Sequence, residues 1–294
     1  MKSVIAIFVG SLMLLVIAGA SLAGLNDGLV AYYPFNGNAN DESGNNNNGT
    51  VNGATLTSDR SGNPNSAYLF NGGQYIEIPH SSTLNFGTGD ITVSAWFKAP
   101  VGGIGTYGGI IGKELQVYPN PSIILRISDQ RLLQFAVLDC GTPPCGYDIN
   151  WTVLSTMRVD DDVFHHAAGV RNSTGYNLYL DGQLVANLVQ SPKNADSNAN
   201  LFIGSQAVRT GTGTAYLPFN GIIDDVRVYK RALSESEIQQ LYHGVTCSSD
   251  ILKFTSGTPA KAAEVNANFD TLNCQIQAMK AIICMDHPTA SICQ

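Results

Sequence analysis

Apolar and polar residues alternate with a period of two along much of residues 26–244. This period is typical of half-buried β-strands, whose successive side chains point to opposite faces. The pair Asp181-Gly182 interrupts one such run and predicts a hairpin, because both residues of a tight hairpin turn must tolerate positive φ. Short strands separated by polar turns predict an antiparallel sandwich of two sheets. The clearest predicted strands are 91–98, 122–128, 132–138 and 176–185, and the predicted core residues are Trp96, Phe97, Leu125, Phe135, Leu178, Leu180, Phe202 and Val226.

The segment 219–242 combines a strand pattern with a helix pattern. Residues 223–229 alternate, which places Asp224 on the same face as Val226 and Val228 and predicts that its carboxylate points inward. A buried carboxylate needs a partner, and a bound cation or a hydrogen-bond network would serve. Ser234 followed by Glu237 three positions later predicts a capping box and the start of a short helix.

Six blocks of sequence resemble a known family and occur in its order. They read LVAYYPFNGNANDESGNNNNGT, AYLFNGGQYIEIP, DITVSAWFKAP, FHHAAGVRNSTGYNLYLDGQLVA, LFIGSQ and FNGIIDDVRVYKRALSESEIQQLY. Together they resemble the laminin-G-like domain of the concanavalin A-like jelly rolls, over residues 26–244. The resemblance implies an all-β, two-sheet antiparallel jelly-roll sandwich. It says less about function, because different functions are built on one fold.

The two ends of the chain predict export and a separate tail. Residues 1–23 carry Lys2, an apolar run and small residues at 21–23, which is the pattern of a cleaved signal peptide; an uncleaved membrane anchor is the alternative. We therefore expect a secreted, periplasmic or cell-surface protein with no membrane span after cleavage. The formal net charge of −7 and the absence of a Lys/Arg cluster argue against nucleic acid as a partner.

The six cysteines of an exported chain predict disulfides. Two of them flank the sequence GTPP, and we expect these two to pair with each other. The other four lie in the predicted tail, 245–294, where three connectivities are open. In order, the cysteines are Cys140, Cys145, Cys247, Cys274, Cys284 and Cys293.

The tail also contains a helical pattern over about 259–284. Apolar residues recur there at alternating spacings of three and four for about three heptads, which is the pattern of a short coiled coil. One interpretation is a homo-oligomer assembled through this helix. The other is an amphipathic helix that packs on the sandwich or on its own cysteine-linked tail.

A calcium site is predicted at the N-terminal loop 36–44, which is rich in oxygen ligands and glycine. The family resemblance implies that this loop lies near the closing strand, so Asp41 and either Asp224 or Asp225 would share one structural Ca²⁺ ion. The alternative is a polar turn in which Asp41 accepts hydrogen bonds from its own backbone.

A carbohydrate site is predicted from aromatic residues in loops, because sugar sites combine aromatic rings with groups that bind hydroxyls. The candidates are Tyr107, Tyr147, Trp151 and Tyr216. The alternative is that these residues are ordinary surface aromatics of a β-protein.

Catalysis is not predicted. Glycoside hydrolysis uses a pair of carboxylates that flank the scissile bond, and no paired cluster is recognisable because Glu77 and Glu114 are isolated in the sequence. The leading hypothesis is an exported, non-catalytic recognition or adhesion module that binds carbohydrate or a surface glycoprotein and holds a structural calcium ion. The alternatives are a structural or fibre component that contacts protein without binding sugar, and a divergent glycoside hydrolase.

Overall fold

The computed structural model describes residues 24–114, 121–138, 152–209 and 211–244. They form two mainly antiparallel sheets packed face to face, with one short helix, so the predicted fold class is confirmed. The strands are β1 (Leu29–Tyr33), β2 (Thr50–Asn52), β3 (Thr55–Thr57), β4 (Ala67–Asn71), β5 (Tyr75–Ile78), β6 (Ile91–Lys98), β7 (Gly108–Lys113), β8 (Ser122–Ile127), β9 (Leu132–Leu138), β10 (Thr152–Arg158), β11 (Phe164–Asn172), β12 (Gly175–Leu180), β13 (Gln183–Val189), β14 (Leu201–Ile203), β15 (Ser205–Val208), β16 (Ala215–Pro218) and β17 (Asn220–Tyr229), and the helix is α1 (Glu235–His243).

The first sheet, sheet A, has the order β13-β12-β11-β6-β17-β4-β3, and β1 also pairs with β17. The second, sheet B, has the order β10-β9-β8-β7-β14-β5-β2, with the β15–β16 hairpin attached beside β7. Each sheet therefore combines strands that are distant in sequence. Among the described residues no helix is long and apolar enough to cross a membrane.

The core between the sheets follows the period-two alternation. Six of the eight predicted core residues lie in it, and they are Phe97, Leu125, Phe135, Leu178, Leu180 and Val226. Trp96 and Phe202 are also buried, but they lie outside this cluster. Trp96 follows the core residue Ala95 and precedes the core residue Phe97, so strand alternation directs it to the outer face of sheet A. Trp96 is therefore buried, as predicted, but on the outer face of sheet A, where it packs against His166 and Tyr242.

The predicted hairpin and capping box are both present. Asp181 and Gly182 have φ values of 51° and 78°, as the tight turn between β12 and β13 requires. Ser234 caps α1 by accepting a hydrogen bond from the backbone N–H of Glu237, whose side chain bonds back to the Ser234 N–H. The helix covers part of the outer face of sheet A, where Ile238 and Leu241 join a second apolar cluster.

Strand β17 contains a β-bulge at the position where its pairing with β4 ends and its pairing with β1 begins. Residues up to Ile223 pair with β4, and residues from Val226 onward pair with β1, while β6 lies along the other side. The register with β6 shifts between Asp224 and Arg227, and Asp225 has a left-handed φ of 49°.

The bulge corrects the predicted direction of Asp224. Ile223 is opposite the core residue Phe97, Asp224 is opposite Trp96, and Val228 is opposite the core residue Val93. Because two residues of β17 oppose one of β6, Asp224 lies on the outer face of sheet A, and Val226 and Val228 face the core. Asp224 is buried, as predicted, but on the opposite face.

Several predictions fall outside the described residues. These are the signal peptide at 1–23, the tail at 245–294 with its helix, and the pairing of the six cysteines Cys140, Cys145, Cys247, Cys274, Cys284 and Cys293. They stay predictions.

His165, near the start of β11, forms pH-dependent ion pairs. Its ring lies 2.8 Å from Asp181 through Nδ1 and 3.1 Å from Asp161 through Nε2. The bond to Asp181 raises the pKa of His165 above its ordinary value, despite partial burial. The stabilisation is therefore fully present below the unfolded-state pKa of about 6.5 and is lost as the pH rises through the folded-state value.

We expect His165→Gln to lower the free energy of unfolding more at pH 5.5 than at pH 8.5, because only the protonated ring forms two ion pairs. Chemical denaturation of both proteins at the two pH values measures the difference. An equal loss at both values would show that His165 contributes packing alone.

Candidate functional site

The outer face of sheet B carries a polar network beneath the β15 strand. Strand β15 crosses closely over β7, and the backbone of Gln206 lies where a side chain at Gly109 or Gly112 would have to be. Glycine at these two positions is therefore required for the close approach. The crossing brings the Gln206 side chain next to the outward-facing residues of β8 and β9.

Arg126 is at the centre of this network. Its Nε donates to Gln134 Oε1 at 2.6 Å, and its Nη1 donates to Gln206 Oε1 at 2.6 Å. The Gln206 amide nitrogen in turn donates to Glu114. All four side chains are buried, so their hydrogen bonds compensate the cost of removing them from water. We call these four residues, together with Tyr107, the sheet-B network.

Burial raises the pKa of the Glu114 carboxyl above its ordinary value, although Gln206 and Arg126 act in the opposite direction. In the sequence Glu114 is isolated from other carboxylates. The structure instead places it in contact with a polar cluster, and it is the only carboxylate of that cluster among the described residues.

Two of the four predicted ligand residues lie beside this face. The ring of Tyr107 stacks on the Arg126 guanidinium, whose central carbon lies 4.1 Å from the ring centroid. Tyr216 lies opposite Ala207 in the β15–β16 hairpin, and Arg209 is above its ring at 5.4 Å. Both rings are half-buried. Tyr147 and Trp151 lie outside the described residues, so their placement beside these two stays a prediction.

Sequence reasoning missed Arg126, Gln134 and Gln206. Arg126 and Gln134 each interrupt an otherwise apolar strand, and such a residue indicates a side chain that points away from the core. No comparable signal marks Gln206, because its position depends on β15 crossing over two glycines that are distant in sequence.

A second constellation surrounds the bulge on the outer face of sheet A. Arg60 donates to Asp224 at 2.5 Å and to Asp225 at 3.1 Å, and Arg227 Nε donates to Asp225 at 2.9 Å. Arg60 lies over the Trp96 ring at 4.7 Å, and Arg227 lies over the Tyr32 ring at 4.2 Å. Neither arginine is predicted as a site residue from the sequence.

The interior of this constellation is strongly desolvated. Burial raises the pKa of Asp224 to about 6, against the attraction of Arg60. Behind it, burial lowers the pKa of His166 to about 4, and this ring packs against Trp96. His165 and His166 point to different surroundings, as adjacent strand residues must.

The predicted calcium ligands all have protein donors as partners. Asp41 Oδ1 accepts hydrogen bonds from the backbone N–H groups of Tyr32 and Ser43, and Oδ2 accepts one from Asn47, each at 2.9 Å. The bond to Ser43 is the Asx-type turn considered as the alternative. Asp224 and Asp225 are paired with arginine. A cation at any of the three would have to displace these donors, so the contacts do not form a ready-made cage of oxygen ligands.

Within the described ranges no group of three or more His, Cys, Asp or Glu residues is arranged to hold a metal ion. Calcium binding at Asp41, Asp224 or Asp225 stays a prediction from the sequence.

Comparison with known proteins identifies the family. The family model described as the Concanavalin A-like lectin/glucanases superfamily, of laminin G type, matches residues 70–239, which is more than half of the chain. The chain belongs to this superfamily. A comparison with curated protein sequences gives no match.

Several solved structures share the superfamily fold. Domain 4 of AbnA, an extracellular GH43 arabinanase from Geobacillus stearothermophilus in complex with arabinotriose, is 21% identical with a TM-score of 0.54, and the match covers 73% of this chain and 98% of that domain. The binding domain of Paraclostridial Mosquitocidal Protein 1 is 19% identical with a TM-score of 0.52, covering 74% of this chain and 52% of that one.

A third similar structure comes from botulinum neurotoxin type C, whose cell entry depends on interaction with two ganglioside molecules. It is 14% identical with a TM-score of 0.52, and the match covers 74% of this chain and 51% of that one. The superfamily member described here therefore spans about half the length of the two toxin chains. At these identities the likeness shows the fold.

Thermal unfolding in excess calcium and in chelator tests the metal prediction. Calcium held by Asp41 and Asp224 predicts a higher Tm with calcium, and Asp41→Asn would abolish that rise, because a ligand that binds only the folded state stabilises it. If N–H donors alone hold these carboxylates, the Tm should be the same in excess calcium and in chelator.

Asp224 also gives a pH test. Because its folded-state pKa of about 6 exceeds the unfolded value of about 3.9, the folded state binds the proton more tightly and loses stability as the pH rises through this interval. We expect the wild type to lose stability relative to Asp224→Asn between pH 4 and pH 7.5. A relative gain of the wild type over that interval, measured by chemical denaturation, would show that attraction to Arg60 outweighs burial.

Proposed function

We propose that this protein is an exported, non-catalytic module that binds carbohydrate through the outer face of sheet B. The observation that supports this most strongly is the sheet-B network, in which Arg126, Gln134, Gln206 and Glu114 hold one another in fixed orientations beside the half-exposed ring of Tyr107. Sugars are bound by such combinations of an aromatic surface with oriented polar groups.

The network favours binding because its groups are already ordered. Each polar side chain has a partner within the protein, so little side-chain entropy remains to be lost when a ligand arrives. Tyr107 lies at the rim of the network and Tyr216 lies on the adjoining hairpin, and both rings are accessible enough to contact a sugar. The buried side chains hold the sheet-B network in place, and we expect the sugar to lie across the exposed rim of the network at Tyr107.

The comparisons support the ligand class. A sandwich of this fold is in complex with arabinotriose in the Geobacillus stearothermophilus arabinanase, and the botulinum neurotoxin type C structure concerns interaction with gangliosides. These are properties of those proteins, and we propose the same chemical class of ligand here.

One observation favours glycoside hydrolysis as a second candidate, namely the buried Glu114 with its raised pKa. A carboxyl in this state would serve as a general acid. Glycoside hydrolysis by the usual mechanism also requires a second carboxylate, about 5–10 Å away, and the described part of the network contains only Glu114. We therefore propose binding without cleavage. Release of sugar products from an oligosaccharide, abolished in Glu114→Gln, would establish the enzyme instead.

The tail would complete the module if the sequence predictions for it hold. A helix that assembles copies, with disulfides formed outside the cytoplasm, would present several weak sites together. Multivalent presentation raises avidity by about 10²–10⁴-fold when the sites can engage at once.

The decisive variant is Tyr107→Ala, tested against immobilised oligosaccharides on a glycan array and then by calorimetric titration with the best ligand. We expect binding to fall about fivefold, because the loss of one aromatic contact costs on the order of 1 kcal/mol. Tyr107→Phe retains the ring and should bind nearly as well as the wild type.

Val189→Ala is the control, because Val189 is an exposed apolar residue on β13 of the other sheet. It should bind oligosaccharide like the wild type. Absence of binding to every glycan on the array would contradict the proposal and favour a structural component that contacts protein. Equal binding by Tyr107→Ala and the wild type would remove the sheet-B face as the site.

A further inference from the structure

A pocket of about 250 Å³ opens beside the bulge, on the outer face of sheet A. It lies between β1, the middle of β17, the segment that carries Arg60, and the last turn of α1. The bulge pocket, as we call it, is lined by Tyr32, Arg60, Asp225, Arg227, Gln240, Leu241 and Gly244. The sheet-B network is on the outer face of the other sheet, so the two places are separated by the thickness of the sandwich.

The charges around the bulge pocket balance. Arg60, Arg227 and Asp225 line the pocket, and Asp224, which is not part of the lining, pairs with Arg60. This ion-pair cluster contains two positive charges and two negative charges when both carboxylates are ionised. The three ion-pair contacts measure 2.5, 3.1 and 2.9 Å. A charged ligand would have to separate one of these pairs in a largely buried setting, and separating a buried pair is costly. The pocket therefore favours a neutral ligand.

The polar groups of the bulge pocket are held rigidly. Each guanidinium is fixed on one side by a carboxylate and on one face by an aromatic ring, Trp96 for Arg60 and Tyr32 for Arg227. Planar guanidinium groups in such positions present donors in fixed directions. Asp225 adopts a left-handed backbone conformation that few residues other than glycine adopt, and this conformation places its carboxylate between the two arginines.

The remaining lining is also suited to hydroxyl groups. Gln240 supplies an amide, which both donates and accepts. The half-buried ring of Tyr32 adds apolar surface for the C–H face of a sugar ring. A volume of about 250 Å³ is below the ~300–1,000 Å³ usual for ligand pockets, so the ligand is small.

We propose that the bulge pocket binds a single neutral sugar ring, as a second site independent of the sheet-B network. The neutral ring matches the balanced charge, the fixed donors and acceptors match vicinal hydroxyls, and the volume excludes an oligosaccharide except at a chain end.

The test is a ligand-observed NMR titration of the purified protein with methyl glycosides of glucose, galactose, mannose and arabinose, and with glucuronate and acetate as anionic probes. We expect at least one neutral glycoside to bind in the millimolar range. Gln240→Ala should weaken it about fivefold, which corresponds to one hydrogen bond.

Gln240→Ala is chosen because Gln240 is half-buried on a helix and alanine preserves helical structure. Gln183→Ala, an exposed glutamine on β13, is the matched control and should leave binding unchanged. Arg227→Lys keeps the positive charge but removes the planar guanidinium group with its fixed donors, so it should also weaken binding. Thermal unfolding of each variant separates loss of the fold from loss of the site.

The outcomes distinguish this pocket from the sheet-B site. Binding that is weakened by Gln240→Ala and retained by Tyr107→Ala supports the bulge pocket. Binding lost only in Tyr107→Ala overturns the pocket and leaves the sheet-B proposal standing. Failure of every neutral glycoside to bind the wild type, or binding of the anions alone, also overturns it.

Discussion

The extra residue in β17 is the constraint on which the arrangement of sheet A depends. This strand lies in the interior of the sheet and has β6 on one side along most of its length. On its other side it pairs first with β4 and then with β1, and the bulge at Asp224 and Asp225 occurs between the two pairings. A regular strand would put Asp224 in the core, where an unpaired carboxylate is costly. The bulge moves it to the outer face, where Arg60 reaches it.

The same bulge determines the chemistry of the outer face. It places two carboxylates next to each other, which repel unless cations separate them, and the two arginines meet that requirement. The two arginines stack on aromatic rings, Arg60 on Trp96 and Arg227 on Tyr32. A pocket lined by rigid polar groups is the consequence of the backbone geometry at one position. On sheet B, Gly109 and Gly112 have a comparable effect. They allow β15 to approach β7 closely, and this places Gln206 next to Arg126.

The sequence predicts well those features that depend on neighbouring residues. Alternation locates β6 and β9 with the bounds that the structure has, Asp181-Gly182 locates the hairpin, and the Ser234–Glu237 pair locates the start of α1. It does not predict the bulge, because Asp225 lies within a run that alternates like a regular strand, and the predicted face of Asp224 is reversed as a result. It finds Tyr107 as a loop aromatic but misses Gln206 and Arg60, because their contacts with Arg126 and Asp224 join positions 80 and 164 residues apart in the chain.

The membership of a superfamily of lectins and glucanases does not by itself choose between binding and cleavage, because the fold carries both. Our proposal of binding rests on the side chains of the described residues: the buried network around Arg126 and the half-buried ring of Tyr107 beside it. The sheet-B network and the bulge pocket both present oriented donors and acceptors next to an aromatic ring, which is an arrangement suited to holding a sugar.

Amide chemical-shift mapping, with the oligosaccharide that binds best on a glycan array, tests this account most directly. The account predicts that the shifts concentrate at the sheet-B face, in Gly108, Gly109 and Gly112 of β7 and in Gln206 and Ala207 of β15. Shifts confined to the loops at the edges of the sandwich, with these amides unchanged at saturation, would contradict the claim that the outer face of sheet B carries the ligand.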